Sequence, residues 1–92
     1  MIKSYQYGNT IRLECVFYDL DNNKVDPNLV RVIIYDGNHK KIHESNGSKR
    51  SIGEYYYDYT TEEKRGRYIY EWYGEMGGKP ILRRGEFITK FV

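Results

Sequence analysis

The strongest constraint on this chain is alternation. Across residues 10–18 the side chains switch faces at every step: Ile11, Leu13, Cys15 and Phe17 fall on one side, Thr10, Arg12, Glu14, Val16 and Tyr18 on the other. A repeat of two is the signature of a pleated strand with one buried face, whereas a helix repeats near 3.6. The pattern returns in Leu29–Tyr35, with Val30, Val32 and Ile34 set against Arg31, Ile33 and Tyr35. It returns in Glu54–Thr60, where Tyr55, Tyr57 and Tyr59 oppose Tyr56 and Asp58. In residues 67–73, Tyr68, Tyr70 and Trp72 oppose Arg67, Ile69 and Glu71. Each run predicts a half-buried strand.

Turn residues punctuate these runs. Residues 19–23 and 36–38 are clusters of Asp, Asn and Gly, which bond to their own backbone and accept left-handed conformations. Asp26-Pro27 is a further break, because proline fixes φ and holds the residue before it extended. Residues 40–44 predict a short polar edge strand, 46–48 a loop, 60–64 one helical turn at most, and 74–78 a glycine-rich hairpin loop. Residues 81–92 carry the last strands, with a bulge expected at Gly85. Short strands at roughly 8–12-residue spacing imply an all-β fold. The expected architecture is one antiparallel β-sandwich of about seven strands over residues 1–92, with a small β-barrel as the alternative.

Eleven tyrosines are the main compositional bias. Tyrosine fills a pleated surface with its ring while its hydroxyl reaches water or a carbonyl, so most of them are expected to line a core. Those on outward positions, Tyr18, Tyr35, Tyr56 and Tyr73, are the candidate protein-contact residues, since tyrosine supplies contact area at low entropic cost. No apolar run approaches the ~20 residues that span a bilayer. Met1 to Ser4 lead into polar sequence with no apolar signal core. The expectation is therefore a protein that neither crosses a membrane nor is exported. The lone Cys15 allows no intrachain disulfide.

Catalytic and metal chemistry find little purchase. Asp19-x-Asp21-x-Asn23 opens like a calcium loop, but the sixth and twelfth positions, where an EF-hand needs Gly and Glu, hold Lys24 and Val30. A looser site on Asp19, Asp21 and Asp26 competes with an ordinary Asx turn. His39 and His43 are four apart, about 13 Å along a strand, too far to share a metal. Cys15 sits on the apolar face, where a thiol packs as a small hydrophobe. Glu54, Asp58 and Glu71 lie at outward positions with nothing to mark an acid/base pair. No phosphate-binding loop or nucleophile elbow is present. The expectation is no enzyme, no cofactor and no metal. A net charge of +2 is too small to indicate nucleic acid. The basic clusters at residues 40–41, 49–50, 64–65, 67 and 83–84 read mostly as solvated turns. An OB-like binder of single strands, using aromatics and these arginines, is the alternative function.

Gly66-x-Tyr68 resembles the tyrosine corner of immunoglobulin-type sandwiches, in which a tyrosine near the start of a strand pins the preceding crossover. Cys15 and Tyr70 then stand where such domains place their two disulfide cysteines. More broadly, Tyr7-Gly8-Asn9-Thr10, Phe17-Tyr18-Asp19, Asp26-Pro27, Val30-x-Val32, Gly53-Glu54-Tyr55-Tyr56-Tyr57, Gly66-Arg67-Tyr68 through Trp72, and Gly85-Glu86-Phe87 resemble a family of small Ig-like proteins of tailed bacteriophages. That resemblance implies a non-enzymatic structural module. It would bind other protein subunits such as capsid or tail proteins, or itself as a homo-oligomer, first in the host cytoplasm and then in the virion. It carries no site residues beyond the structural corner Gly66 and Tyr68.

Overall fold

The computed structural model describes residues 3–6, 10–61 and 66–90, without the side chains of 3–6 and 90. These residues form eight strands: β1 Lys3–Gln6, β2 Thr10–Val16, β3 Leu29–Tyr35, β4 Lys41–Asn46, β5 Ser48–Ser51, β6 Glu54–Thr60, β7 Gly66–Met76 and β8 Lys79–Lys90. They build a five-stranded sheet in the order β1-β8-β7-β3-β4 and a three-stranded sheet in the order β2-β6-β5. The protein is a small β-sandwich, and the barrel alternative is not realised. The ladders are antiparallel except β1–β8, which is parallel.

The inward sets read from the alternation meet between the sheets. Ile11, Leu13, Cys15 and Phe17 of the smaller sheet, with Tyr55 and Tyr59, close on Val30, Val32, Ile34, Tyr68, Trp72 and Phe87 of the larger. Each fully buried large apolar side chain contributes roughly 1.5–3 kcal/mol. Aromatic geometry adds specificity: Phe17 meets Tyr55 edge-on at 5.7 Å between centroids, and Tyr68 stacks on Phe87 at 5.3 Å. Cys15 and Tyr70 both belong to this assembly, Cys15 within the core and Tyr70 packed against it.

Glycines account for most departures from the expected boundaries. Residues 46–48 are not a loop. The chain leaves β4 and enters β5 through Gly47 alone, and a Cβ there would stand 2.6 Å from Trp72 Cζ3. Only glycine lets the backbone cross over the indole as it changes sheets. Residues 74–78 are likewise mostly strand. Gly74 lies within β7 because a Cβ would collide with Phe17, and the hairpin is reduced to Gly77-Gly78, with φ of 59° and 75°. Such angles suit the two-residue turns that match strand twist. Gly85 makes no bulge: β7 and β8 keep register from Gly66↔Thr89 to Met76↔Lys79. Its missing Cβ is the space filled by the Tyr70 ring.

The basic pairs also sit differently from the expectation. Lys49 and Arg50 lie in β5, and Arg67, Arg83 and Arg84 lie in β7 and β8, so they line sheet faces rather than turns. The expected helical turn at 60–64 and the segment of the tyrosine corner just before Gly66 fall at 62–65, outside the described residues, although Thr60 closes β6. Tyr68 itself is buried.

Candidate functional site

Outward positions make two surfaces of different character. On the smaller sheet, register sets Arg12 beside Asp58 and Glu14 beside Tyr56. Arg12 Nε and Nη2 donate to the two Asp58 carboxylate oxygens at 2.8 and 3.0 Å. The same guanidinium lies 4.3 Å from the Tyr56 ring centroid. Arg50 Nη1 reaches Glu14 Oε2 at 3.1 Å. Tyr56 is outward as expected, but it is covered by Arg12 within a row of paired charges.

The outer face of the larger sheet interleaves apolar side chains with paired charges. Leu29, Ile33 and Tyr35 on β3, Ile69 and Tyr73 on β7, and Leu82 on β8 all project from it, because Tyr73 pairs with Leu82, Tyr35 with Ile69 and Arg31 with Tyr73. Leu29 and Leu82 are exposed, and the other four are half-buried. Charges on this face are cancelled locally. Arg31 pairs with Glu44 at 3.1 Å, Arg84 with Glu71 at 2.5 Å, and Arg67 with Glu86.

Glu71 is outward by register yet only 9% exposed. It lies between Ile33 and Arg84 in the middle of the sheet. Its partner Arg84 stays out in water, with a side chain 68% exposed. The Glu71 carboxylate holds the Arg84 guanidinium protonated, raising its pKa. These two residues, with Tyr35, His39, Ile69, Gly85 and Glu86, line an open depression of about 400 Å³. None of the lining residues is a Ser, Thr or Cys nucleophile.

The four predicted contact tyrosines therefore divide. Tyr35 and Tyr73 share the outer face of the larger sheet. Tyr56 is on the opposite face. Tyr18, 45% exposed, lies past the end of β2 and bridges to Lys24. Isolated inspection of each strand does not show this division, because it depends on which strands become neighbours. Leu29, Ile33, Ile69 and Leu82 are not among the predicted contacts. Their signal is nonetheless in the sequence: apolar residues at positions the alternation assigns to the outside.

The candidate chemistry from the sequence also takes definite places. Asp19 closes its own turn, accepting from the amides of Asp21 and Asn23 at 2.8 and 2.9 Å. Asp26 is engaged elsewhere, with Gly53 N at 2.8 Å, Lys49 Nζ at 2.8 Å and Tyr55 Oη at 3.1 Å. Among the described residues no three His, Cys, Asp or Glu side chains gather to hold a metal. His39 lies in a turn with φ of 64°, whereas His43 points inward and contacts Tyr57 Oη at 2.6 Å. Cys15 is buried, and desolvation pushes its pKa up to about 11. No helix of the described residues is long and apolar enough to cross a membrane.

The fold and its surfaces define a small β-sandwich domain. No protein-family model matches the sequence, and no curated protein matches it. Among solved structures the chain is similar to a DUF4785 family protein from Legionella pneumophila, with a TM-score of 0.61 and 18% identity. The match covers 98% of this chain and 26% of that one, so the chain spans about a quarter of the Legionella protein's length. At that identity the likeness concerns the fold.

Proposed function

We propose that this domain is a non-enzymatic protein-interaction module, an Ig-like sandwich that binds a partner protein through the outer face of its five-stranded sheet. One observation carries the reading: Leu29, Ile33, Tyr35, Ile69, Tyr73 and Leu82 share that face between locally paired charges, whereas the opposite face is mainly a row of paired charges around Tyr56. Interfaces concentrate aromatic and aliphatic residues at a core with polar groups around it. The strand order, with a short first strand joining the last and the sheet change between β4 and β5, supports the Ig-like description. The virion setting implied by the bacteriophage resemblance would be a special case of this role.

The local cancellation of charge selects the partner's class. Arg31, Arg67 and Arg84 each have a carboxylate on the same face. A polyanion would have to displace those carboxylates, whereas a protein surface can pack on the apolar side chains and leave these pairs intact. The test compares complexes recovered from the native cells with the wild type, a Tyr35→Ser/Tyr73→Ser variant and a Tyr56→Ser variant. The reading predicts that one defined set of proteins is lost with the double variant and kept with Tyr56→Ser. Equal recovery by all three would overturn it.

A further inference from the structure

Among the described residues the sandwich has four edge strands, and three of them are protected against pairing. β1 and β5 have four residues each, and β5 carries Lys49 and Arg50 and a register shift. β4 has a register shift opposite Ile34/Tyr35 and puts the polar His43 and Ser45 on its inward side. Short length, bulges and charge are the usual means by which proteins blunt sheet edges. β2 is neither short nor bulged, and its two charges, Arg12 and Glu14, are of opposite sign. It runs seven residues in unbroken register with β6, its inward residues are apolar, and no described strand pairs with its other side.

The unused hydrogen-bonding groups of β2 can be assigned. Phe17 N donates to Gly53 O at 2.9 Å, continuing the β2–β6 register. Antiparallel ladders alternate, so the odd residues Ile11, Leu13 and Cys15 direct their backbone groups to β6. The even residues Thr10, Arg12, Glu14 and Val16 direct theirs to the open edge. The flank beside this edge is open too: Arg83 stands opposite Trp72 on the inner side of β8, yet it is exposed.

We infer that this edge pairs with the same edge of a second copy, antiparallel about a two-fold axis at Leu13. The sequence Arg12-Leu13-Glu14 is self-complementary in that register. Each Arg12 lies opposite the other copy's Glu14 in a hydrogen-bonded pair, and Thr10 lies opposite Val16. Sliding the register by one hydrogen-bonding step moves the axis to Arg12 or Glu14, which sets arginine against arginine or glutamate against glutamate. Charge thus selects one register, as opposite charges across a ladder stabilise it and like charges oppose it. The two smaller sheets become one six-stranded sheet. The rows already present, Asp58–Arg12 in one copy and Glu14–Arg50 in the other, join across the axis. A closed two-fold contact of this kind consumes both free edges and cannot propagate. This surface is separate from the Tyr35/Tyr73 face, so either assignment can fail without the other.

The experiment is sedimentation velocity on the full chain from micromolar to millimolar concentration, with Arg12→Glu and Glu14→Arg variants whose folding is confirmed by thermal melting. The wild type is expected to dimerise, and the amides of Arg12 and Glu14 to gain hydrogen-exchange protection as concentration rises. Each variant alone is expected to associate at least about tenfold more weakly, because the axis doubles every reversed pair. Mixed in equal amounts, the two variants are expected to form a heterodimer, since the two acidic positions of one chain then face the two basic positions of the other. A wild type that remains monomeric throughout overturns the assignment. So does a dimer indifferent to both reversals, or one whose protection lies away from β2.

Discussion

Asp26 Oδ1 accepts the Gly53 amide at 2.8 Å, tying the loop before β3 to the turn between β5 and β6. Gly53 is suited to this place: its φ is 74°, and a Cβ would stand 3.0 Å from both Phe17 O and Val25 N. The Phe17 amide donates to Gly53 O, and Val25 N donates to Phe17 O at 3.1 Å. One end of the sandwich is thus closed by a buried glycine and a carboxylate twenty-seven residues away.

This tie makes stability sensitive to acid. The Lys49 ammonium, and after it the Gly53 amide, hold the Asp26 pKa below its ordinary value. Asp36, Glu44, Glu54 and Asp58 are lowered in the same way by their own partners. A lowered folded-state pKa stabilises above the ordinary carboxylate range, and that contribution is lost as pH falls through the folded value. The melting temperature should therefore fall below about pH 4. Asp26→Asn keeps the shape but not the charge, so it should lower the neutral-pH melting temperature and flatten the acid limb. A variant with the wild-type pH profile would assign the acid sensitivity to the other carboxylates.

The crossing at Gly47 predicts a steep steric penalty. Gly47→Ala sets a methyl against Trp72 and Val30, and overpacking of that kind costs about 1–3 kcal/mol. Gly77→Asn is the contrasting case. Its φ is positive but nothing lies within 4 Å of a Cβ, and asparagine accepts left-handed turn positions. Urea unfolding should separate the two variants clearly, with Gly77→Asn close to wild type.

Trp72 is 1% exposed, and its indole Nε1 has no hydrogen-bond partner among the described residues. Burying an unsatisfied donor costs about 1–3 kcal/mol. Trp72→Phe removes that donor but leaves a small cavity, so the two effects offset to within about 1 kcal/mol. Phe17→Ala has no such compensation and should cost about 3–5 kcal/mol. Denaturant midpoints of both variants check the difference.

Cys15 should be chemically silent in the folded protein. Burial raises its pKa to about 11, so little thiolate exists at neutral pH. A thiol reagent such as DTNB should label it only as fast as the fold opens, and stoichiometrically in denaturant. Immediate labelling of the native protein would contradict its place in the core.

The alternation makes the sandwich legible because its signal is local. Leu29–Tyr35 and Glu54–Thr60 are strands with the boundaries the pattern predicts, and Ile11, Leu13, Cys15 and Phe17 are buried as a set. What the sequence does not reveal depends on partners far along the chain. Gly47, Gly74 and Gly85 read as loop or bulge residues, since nothing local distinguishes a turn glycine from one that makes room for Trp72, Phe17 or Tyr70. The proposed contact face stays hidden for the same reason. Tyr35 and Tyr73 become part of one surface only because β3 pairs with β7. Glu71 reads as solvated because its cover comes from neighbouring strands.

The most direct measurement of the central claim is site-specific photo-crosslinking in the native cells. A photoreactive phenylalanine analogue replaces Tyr35, Tyr73 or Tyr56 in turn. The account predicts that Tyr35 and Tyr73 positions yield the same discrete protein adduct and the Tyr56 position does not. Adducts confined to Tyr56, or none at either position on the larger sheet, would contradict it.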